Sequence, residues 1–182
     1  MLRKTIKIFI LIVMFAVTGI VTMSGCSRNQ EALTWTEVLS DIRDKYPDVN
    51  QLRTDELYSW LTAPDSEPII IIDTRAKEEF HVSNITGAMN IPYDKDPLKH
   101  FTCVDPDRSI VVYCSVGYRS SILAEKLQDM GFTKVYNLEG SIFKWANEGR
   151  PLVQDKVTVH KVHPYNARWG NLLERKYHVE MD

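Results

Sequence analysis

Cysteine is scarce in this chain, three residues in 182, so no dense disulfide framework holds it together. It also lacks an excess of basic charge. The formal net charge is -2, and three of the 22 basic residues, Arg3, Lys4 and Lys7, sit at the extreme N-terminus, leaving 24 acidic against 19 basic side chains in the body. A mildly acidic body has no electrostatic footprint for nucleic acid, and none is expected as a partner. Internal repeats and low-complexity segments are absent too, which excludes solenoids. What remains is ordinary globular composition, 44% hydrophobic and 25% charged, enough for one well-buried core with extensions.

The three N-terminal cations precede an apolar run from Ile8 to Val21, followed by the small residues Ser24 and Gly25. A basic start, an apolar stretch and small residues predict an export signal over residues 1–25. Fourteen helical residues rise roughly 21 Å, short of a hydrocarbon core about 30 Å thick. Met23-Ser24-Gly25-Cys26 resembles the lipobox of bacterial lipoproteins, with Met23 where Leu is usual. The resemblance implies cleavage before Cys26, lipidation of that cysteine, and a membrane-anchored protein facing the periplasm or cell exterior. An uncleaved N-terminal helix is the alternative, and either version tethers the domain outside the cytoplasm.

Residues 26–34 read as a tether and 35–50 as a helical extension, in which Trp35, Val38, Leu39 and Ile42 recur at helical spacing. A second helix is expected after Thr54, ending before Pro64. Ile69 to Asp73 is a β-branched apolar run without polar alternation, as suits a parallel strand covered on both faces. Ile110 to Tyr113 repeats the pattern, and Lys134 to Asn137 does so more weakly. Helices are expected over Ser120 to Met130, capped by Gly131, and over Ser141 to Asn147. This succession predicts an α/β fold: an open, mainly parallel sheet flanked by helices on both faces, spanning 51–153. Residues 154–182 carry enough apolar side chains to dock on that domain as a C-terminal extension.

Ligands of open α/β sheets gather outside the carboxyl ends of the strands. Asp73 and Arg75 follow one predicted strand, and Cys114-Ser115-Val116-Gly117-Tyr118-Arg119 follows another. A chain reversing between a buried strand and a helix start aims backbone N–H groups inward, and Gly117 permits a backbone angle closed to other residues. The helix N-terminus and Arg119 add positive charge, so the loop is expected to hold an anion and to raise the thiolate fraction of Cys114. A Cys103–Cys114 disulfide is disfavoured, because the strand between them spans about 16 Å and bridged Cα atoms lie roughly 4.4–6.8 Å apart. His160 and His163 lack a third ligand nearby, so no metal site is expected.

The loop resembles the active-site loop of rhodaneses, whose cysteine carries a persulfide between donor and acceptor. The likeness extends over about residues 51–153. Asp73-Thr74-Arg75, Glu79-Phe80, Ile85, Gly87-Ala88 and Asn90-Ile91-Pro92 resemble the upstream signature. Gly131-Phe132, Val135, Leu138-Glu139-Gly140, Trp145 and Gly149-Arg150-Pro151 resemble the closing one.

The resemblance implies a sulfurtransferase without cofactor, in which Cys114 is the nucleophile. Ser115, Val116, Gly117, Tyr118 and Arg119 would bind substrate, while Asp73, Arg75 and Glu79, by their own chemistry, are expected to form ion pairs that support the strand ends beneath the loop. Its partners would be a small sulfur donor and a thiol or other thiophilic acceptor, with a protein partner left open. Asn84 stands where the family often has His, and Ser141 replaces the second glycine of a frequent pair. Ser115 stands where thiosulfate users often carry Arg, which counts against thiosulfate as the donor. A non-catalytic protein-binding module of the cell envelope is the second reading. A phosphatase or arsenate reductase is the third, and four residues between Cys114 and Arg119, rather than the five of those relatives, weigh against it.

Overall fold

In this computed structural model, which describes residues 32–65 and 67–180, a five-stranded parallel sheet forms the centre. The expected export segment, Cys26 and most of the tether lie outside the described residues. In chain order the elements begin with α1 (Trp35–Lys45), β1 (Asn50–Leu52), α2 (Thr54–Thr62), β2 (Ile70–Asp73), α3 (Lys77–Val82) and β3 (Met89–Asn90). They continue with α4 (Leu98–Phe101), β4 (Ile110–Tyr113), α5 (Tyr118–Asp129), β5 (Val135–Leu138) and α6 (Ser141–Asn147). A hairpin of β6 (Leu152–Gln154) and β7 (Val157–Val159), a short helix α7 (Ala167–Gly170) and a 3-10 turn (Arg175–Tyr177) complete the chain.

The sheet order is β1-β5-β4-β2-β3, with every pairing parallel. β4 is buried along its whole length and β2 over its last three residues, which is why Ile110 to Tyr113 and Ile70 to Ile72 are unbroken apolar runs. Each fully buried aliphatic side chain there contributes about 1.5–3 kcal/mol of transfer free energy. The register sets Asp73 opposite Tyr113, so β2 and β4 end side by side and the chain leaves both ends into neighbouring loops. Thr74 N–H donates to the Tyr113 carbonyl at 2.8 Å, extending the pairing by one residue past the strand ends.

Helix starts follow the sequence. Thr34 and Glu37 cap α1 reciprocally, each accepting the other's backbone N–H, at 3.3 and 3.1 Å. Glu56 accepts the Arg53 N–H at 2.9 Å ahead of α2. Glu79 does the same for Ala76 at 3.0 Å ahead of α3, which fixes that carboxylate close to its own backbone. Helix α5 begins at Tyr118, two residues before the predicted Ser120, because the loop from Cys114 is tighter than composition suggests.

The chain beyond β7 packs on the core. Leu172 and Leu173 are buried, and Asn147 of α6 both donates to the Leu172 carbonyl and accepts the Glu174 N–H, at 2.8 Å each. Val162 bonds to Tyr177 and Val179, tying the extension to itself. Among the described residues no helix is long and apolar enough to cross a membrane.

Candidate active site

The loop that opens at Cys114 is held by α6 at its start and by α5 at Gly117. Ser141 Oγ accepts the Cys114 N–H at 3.1 Å while donating to the Leu138 carbonyl at 3.1 Å. The next two amides of α6, of Ile142 and Phe143, donate to the carbonyls of Cys114 and Ser115 at 3.2 and 3.1 Å. At the far end the Gly117 carbonyl accepts from the hydroxyls of Ser120 and Ser121 at 3.1 and 2.9 Å. With their carbonyls drawn outward, Cys114 and Ser115 turn the loop's interior toward N–H groups. Gly117 has φ +127°, and a Cβ there would sit 2.9 Å from Ile42 Cδ1 of α1, so any other residue at that position is strained.

Within this ring the Cys114 sulfur is buried and receives the Gly117 N–H at 3.1 Å. Burial pushes the thiol's pKa up, but the Arg119 charge, the hydroxyl and N–H of Ser120 and the N–H of Gly117 together outweigh it, leaving the thiol below its ordinary value. The start of α5 adds its partial positive charge in the same sense. Cys103 and Cys114 are both free thiols, the first exposed and the second buried.

Arg119 is held rather than free. Its guanidinium forks onto both oxygens of Glu79 at 2.7 and 2.8 Å and also donates to Ser115 Oγ at 2.8 Å. Ser115 in turn donates to Glu79 at 3.1 Å. Burial opposes charge on Glu79, yet Arg119, the Ala76 N–H and Arg75 hold its carboxyl below the usual range. The structure therefore joins four predicted residues, Glu79, Ser115, Arg119 and Cys114, in one network. Asp73 and Arg75 form a separate one at the end of β2. The Arg75 guanidinium meets both Asp73 oxygens, at 2.6 Å for the shortest bond, and donates to the Ser83 carbonyl at 2.6 Å, all fully buried.

Tyr118 lines the same groove as Cys114. Its hydroxyl donates to Asp41 of α1, and its ring meets Trp169 edge-on with centroids 5.5 Å apart. Val116 is buried within the loop and, with Cys114, lines a groove of about 840 Å³. One wall of this groove comes from α1, through residues such as Glu37, Asp41 and Asp44, and the other from Tyr165, Arg168 and Trp169. The Tyr165 ring lies 4.6 Å from the Arg119 guanidinium and carries a left-handed φ of +65°.

Sequence reasoning did not anticipate Tyr165 or Asp41 near the loop, and it treated Ser141 only as a departure from a glycine pair. The signal for Ser141 was present: a hydroxyl just after a strand end can satisfy a loop amide. Asn84 bonds to Val153 through its backbone and to Phe80 through its side chain, so it serves the β6 junction. Trp145 is core, its indole N–H donating to Pro151 at 2.8 Å. Among the described residues no group of three His, Cys, Asp or Glu side chains could hold a metal ion.

Taken together, an open parallel sheet that presents a buried cysteine in an amide-lined loop at its carboxyl edge defines an α/β domain with a strand-end cysteine loop. The rhodanese-like domain model matches residues 54–148, and the chain belongs to that family. A protein named sulfurtransferase from Allochromatium vinosum is 31% identical over 105 residues, covering 58% of this chain and 95% of that one. The adenylyltransferase and sulfurtransferase UBA4 of Meyerozyma guilliermondii is 36% identical over 87 residues, 43% of this chain but only 20% of its own length. Among solved structures, the BH2092 protein of Bacillus halodurans superposes with a TM-score of 0.58 at 20% identity, over 76% of this chain and 99% of that one, which speaks to fold.

Proposed function

We propose that this protein is a rhodanese-type sulfurtransferase that moves a sulfane sulfur through a persulfide on Cys114. The observation that carries the reading is the state of that thiol: buried, hydrogen-bonded by Gly117 and held below its ordinary pKa beside Arg119. A low-pKa thiolate in an amide-lined ring is a nucleophile with a ready place for the charge of a terminal sulfur. The thiolate attacks the outer sulfur of a donor, a new S–S bond forms at Cys114, and the remainder of the donor leaves with the electron pair. A thiol or other thiophile then takes the outer sulfur and returns Cys114 as thiolate, giving ping-pong kinetics. Glu79 and Ser115 already engage the Arg119 fork, which leaves fewer of its N–H donors for a small dianion. This agrees with a donor other than thiosulfate.

Intact mass after treatment with several sulfane donors tests the reading. One added sulfur atom is expected on the wild type and none on Cys114→Ser, and failure of every donor to load Cys114 sinks it. We further propose attachment to the bacterial cell envelope through lipid on Cys26, supported by the basic start and apolar run before Met23-Ser24-Gly25-Cys26. Metabolic labelling with a fatty-acid analogue should mark the wild type, and equal labelling of Cys26→Ser would overturn this attachment.

A further inference from the structure

Three features mark the groove over Cys114. Its walls are the α1 helix and the 165–169 turn, both beyond residues 54–148. Its volume, about 840 Å³, is in the range that encloses sizeable organic ligands and far exceeds the needs of an inorganic sulfur anion. Its lining carries more carboxylates than cations. Glu37, Asp41 and Asp44 line the α1 wall, whereas of the two lining arginines Arg119 is already paired with Glu79 and covered by Tyr165 and Arg168 lies at the Trp169 ring, with Lys45 over Tyr118 as the further cation nearby. The rings of Tyr118, Tyr165 and Trp169 complete the lining, each already facing a cation of this chain, Lys45, Arg119 and Arg168 respectively, so selection of a ligand by charge falls to the carboxylates of α1.

We infer that this groove receives the sulfur acceptor as a cysteine-bearing polypeptide segment with basic residues beside its thiol. The inference rests on the sulfur-transfer reading above and names the acceptor's class. The basic residues pair with the carboxylates of α1 while the thiol reaches the floor of the groove. There the acceptor thiolate attacks the outer sulfur of the Cys114 persulfide; the S–S bond to Cys114 breaks as the new one forms, and Cys114 departs as thiolate. One sulfur atom changes hands, and no external oxidant or reductant is required. Small dianionic thiols and inorganic anions are repelled at the entrance by the same carboxylates.

Discharge of the Cys114-loaded protein tests this. The probes are synthetic peptides of one length with a central cysteine flanked by Lys, Ser or Glu, and cysteamine as a small cationic thiol. Each rate is divided by that of the same thiol with a soluble disulfide, which removes intrinsic reactivity. The Lys-flanked peptide should exceed the Glu-flanked one by about tenfold or more at low salt, and should exceed cysteamine. In Asp41→Asn with Asp44→Asn, and at high salt, that advantage should fall several-fold. The amide oxygen left by Asp41→Asn can still accept from the Tyr118 hydroxyl, and circular dichroism checks that the variant is folded. Equal rates for the three peptides, or an advantage unchanged in the double variant, would overturn the inference while leaving the persulfide intact. A match by cysteamine would replace the polypeptide with a small amine. If no donor loads Cys114, the sulfur-transfer reading fails instead. Fluorescence anisotropy of Cys→Ser peptides then decides the groove by itself: salt-sensitive binding of the Lys peptide supports it, and absence of binding overturns it.

Discussion

Two arginine–carboxylate pairs lie near the carboxyl edge of this sheet, and they differ in what surrounds them. Asp73–Arg75 is wholly enclosed, with both side chains at 0% exposure, and its further bonds run to backbone: Arg75 to Ser83, and Asn90 to the carbonyls of Asp73 and Arg75. Glu79–Arg119 is partly open at the groove, and its further bonds run to Ser115 and, through charge, to Cys114. The same pair of functional groups therefore does two jobs. Enclosure makes the first a fastener of the β2 end, since a buried charge without its partner is costly. Partial exposure and proximity to a thiol make the second a regulator of charge at the loop.

The sharpest way to break this comparison is to remove one member of the enclosed pair. Asp73→Ala should cost about 3–5 kcal/mol in urea unfolding by stranding the Arg75 cation. A loss below about 1 kcal/mol would show that water reaches Arg75. Next in size, Glu79→Gln should cost about 1–3 kcal/mol through weakened charge-assisted bonds. It should also lower the midpoint of the alkylation rate of Cys114 against pH, because Arg119 would act on the thiol uncompensated. Arg119→Gln should raise that midpoint, and a midpoint unmoved by either variant would detach the second pair from Cys114.

A smaller effect concerns acid. The folded pKa of Glu79 is depressed, so its contribution to stability is present above its unfolded value of about 4.3 and is lost as pH falls through the folded value. The stability difference between wild type and Glu79→Gln should therefore shrink on acidification below about pH 4. Constancy of that difference down to unfolding would contradict the depressed pKa. Smallest of all, Ser115→Ala should cost about 0.5–1.5 kcal/mol and leave the alkylation midpoint within a few tenths of a unit, since it bonds the pair without bearing charge.

Much of the sheet was legible because its central strands are self-declaring. Ile-Ile-Ile-Asp and Ile-Val-Val-Tyr have no reason to exist except burial on both faces, and Gly131 and Gly149 mark helix ends with positive φ. The edge strands were not legible. Asn50–Leu52 and Met89–Asn90 are two or three residues of mixed polarity, and they are strands only because β5 and β2 offer them partners. The third central-sheet strand is Val135–Leu138, one residue beyond its predicted start and end, within the ordinary drift of element boundaries.

At the site, the loop itself could be read from Cys114, Gly117 and Arg119, because their types carry chemistry at short spacing. Tyr165 could not be read, since 46 residues separate it from Arg119 and only the docked extension brings ring and guanidinium together. Ser141 was hidden by its own conformation, being a non-glycine residue with φ +51° where a glycine would have announced a turn. Its hydroxyl, bonded to Leu138 and to Cys114, stands in for conformational ease with two fixed bonds.

Those bonds bear on what the loop can become. Helix α6 pins Cys114 and Ser115 from outside, and the hydroxyls at the start of α5 pin Gly117. The aperture of the ring is thus dictated by two helices that belong to the scaffold, and an inserted residue could enter only between Ser115 and Gly117, bulging into the groove. A longer loop is therefore a matter of re-siting a helix, so a residue inserted after Ser115 should be tolerated only with a compensating change at the α6 start.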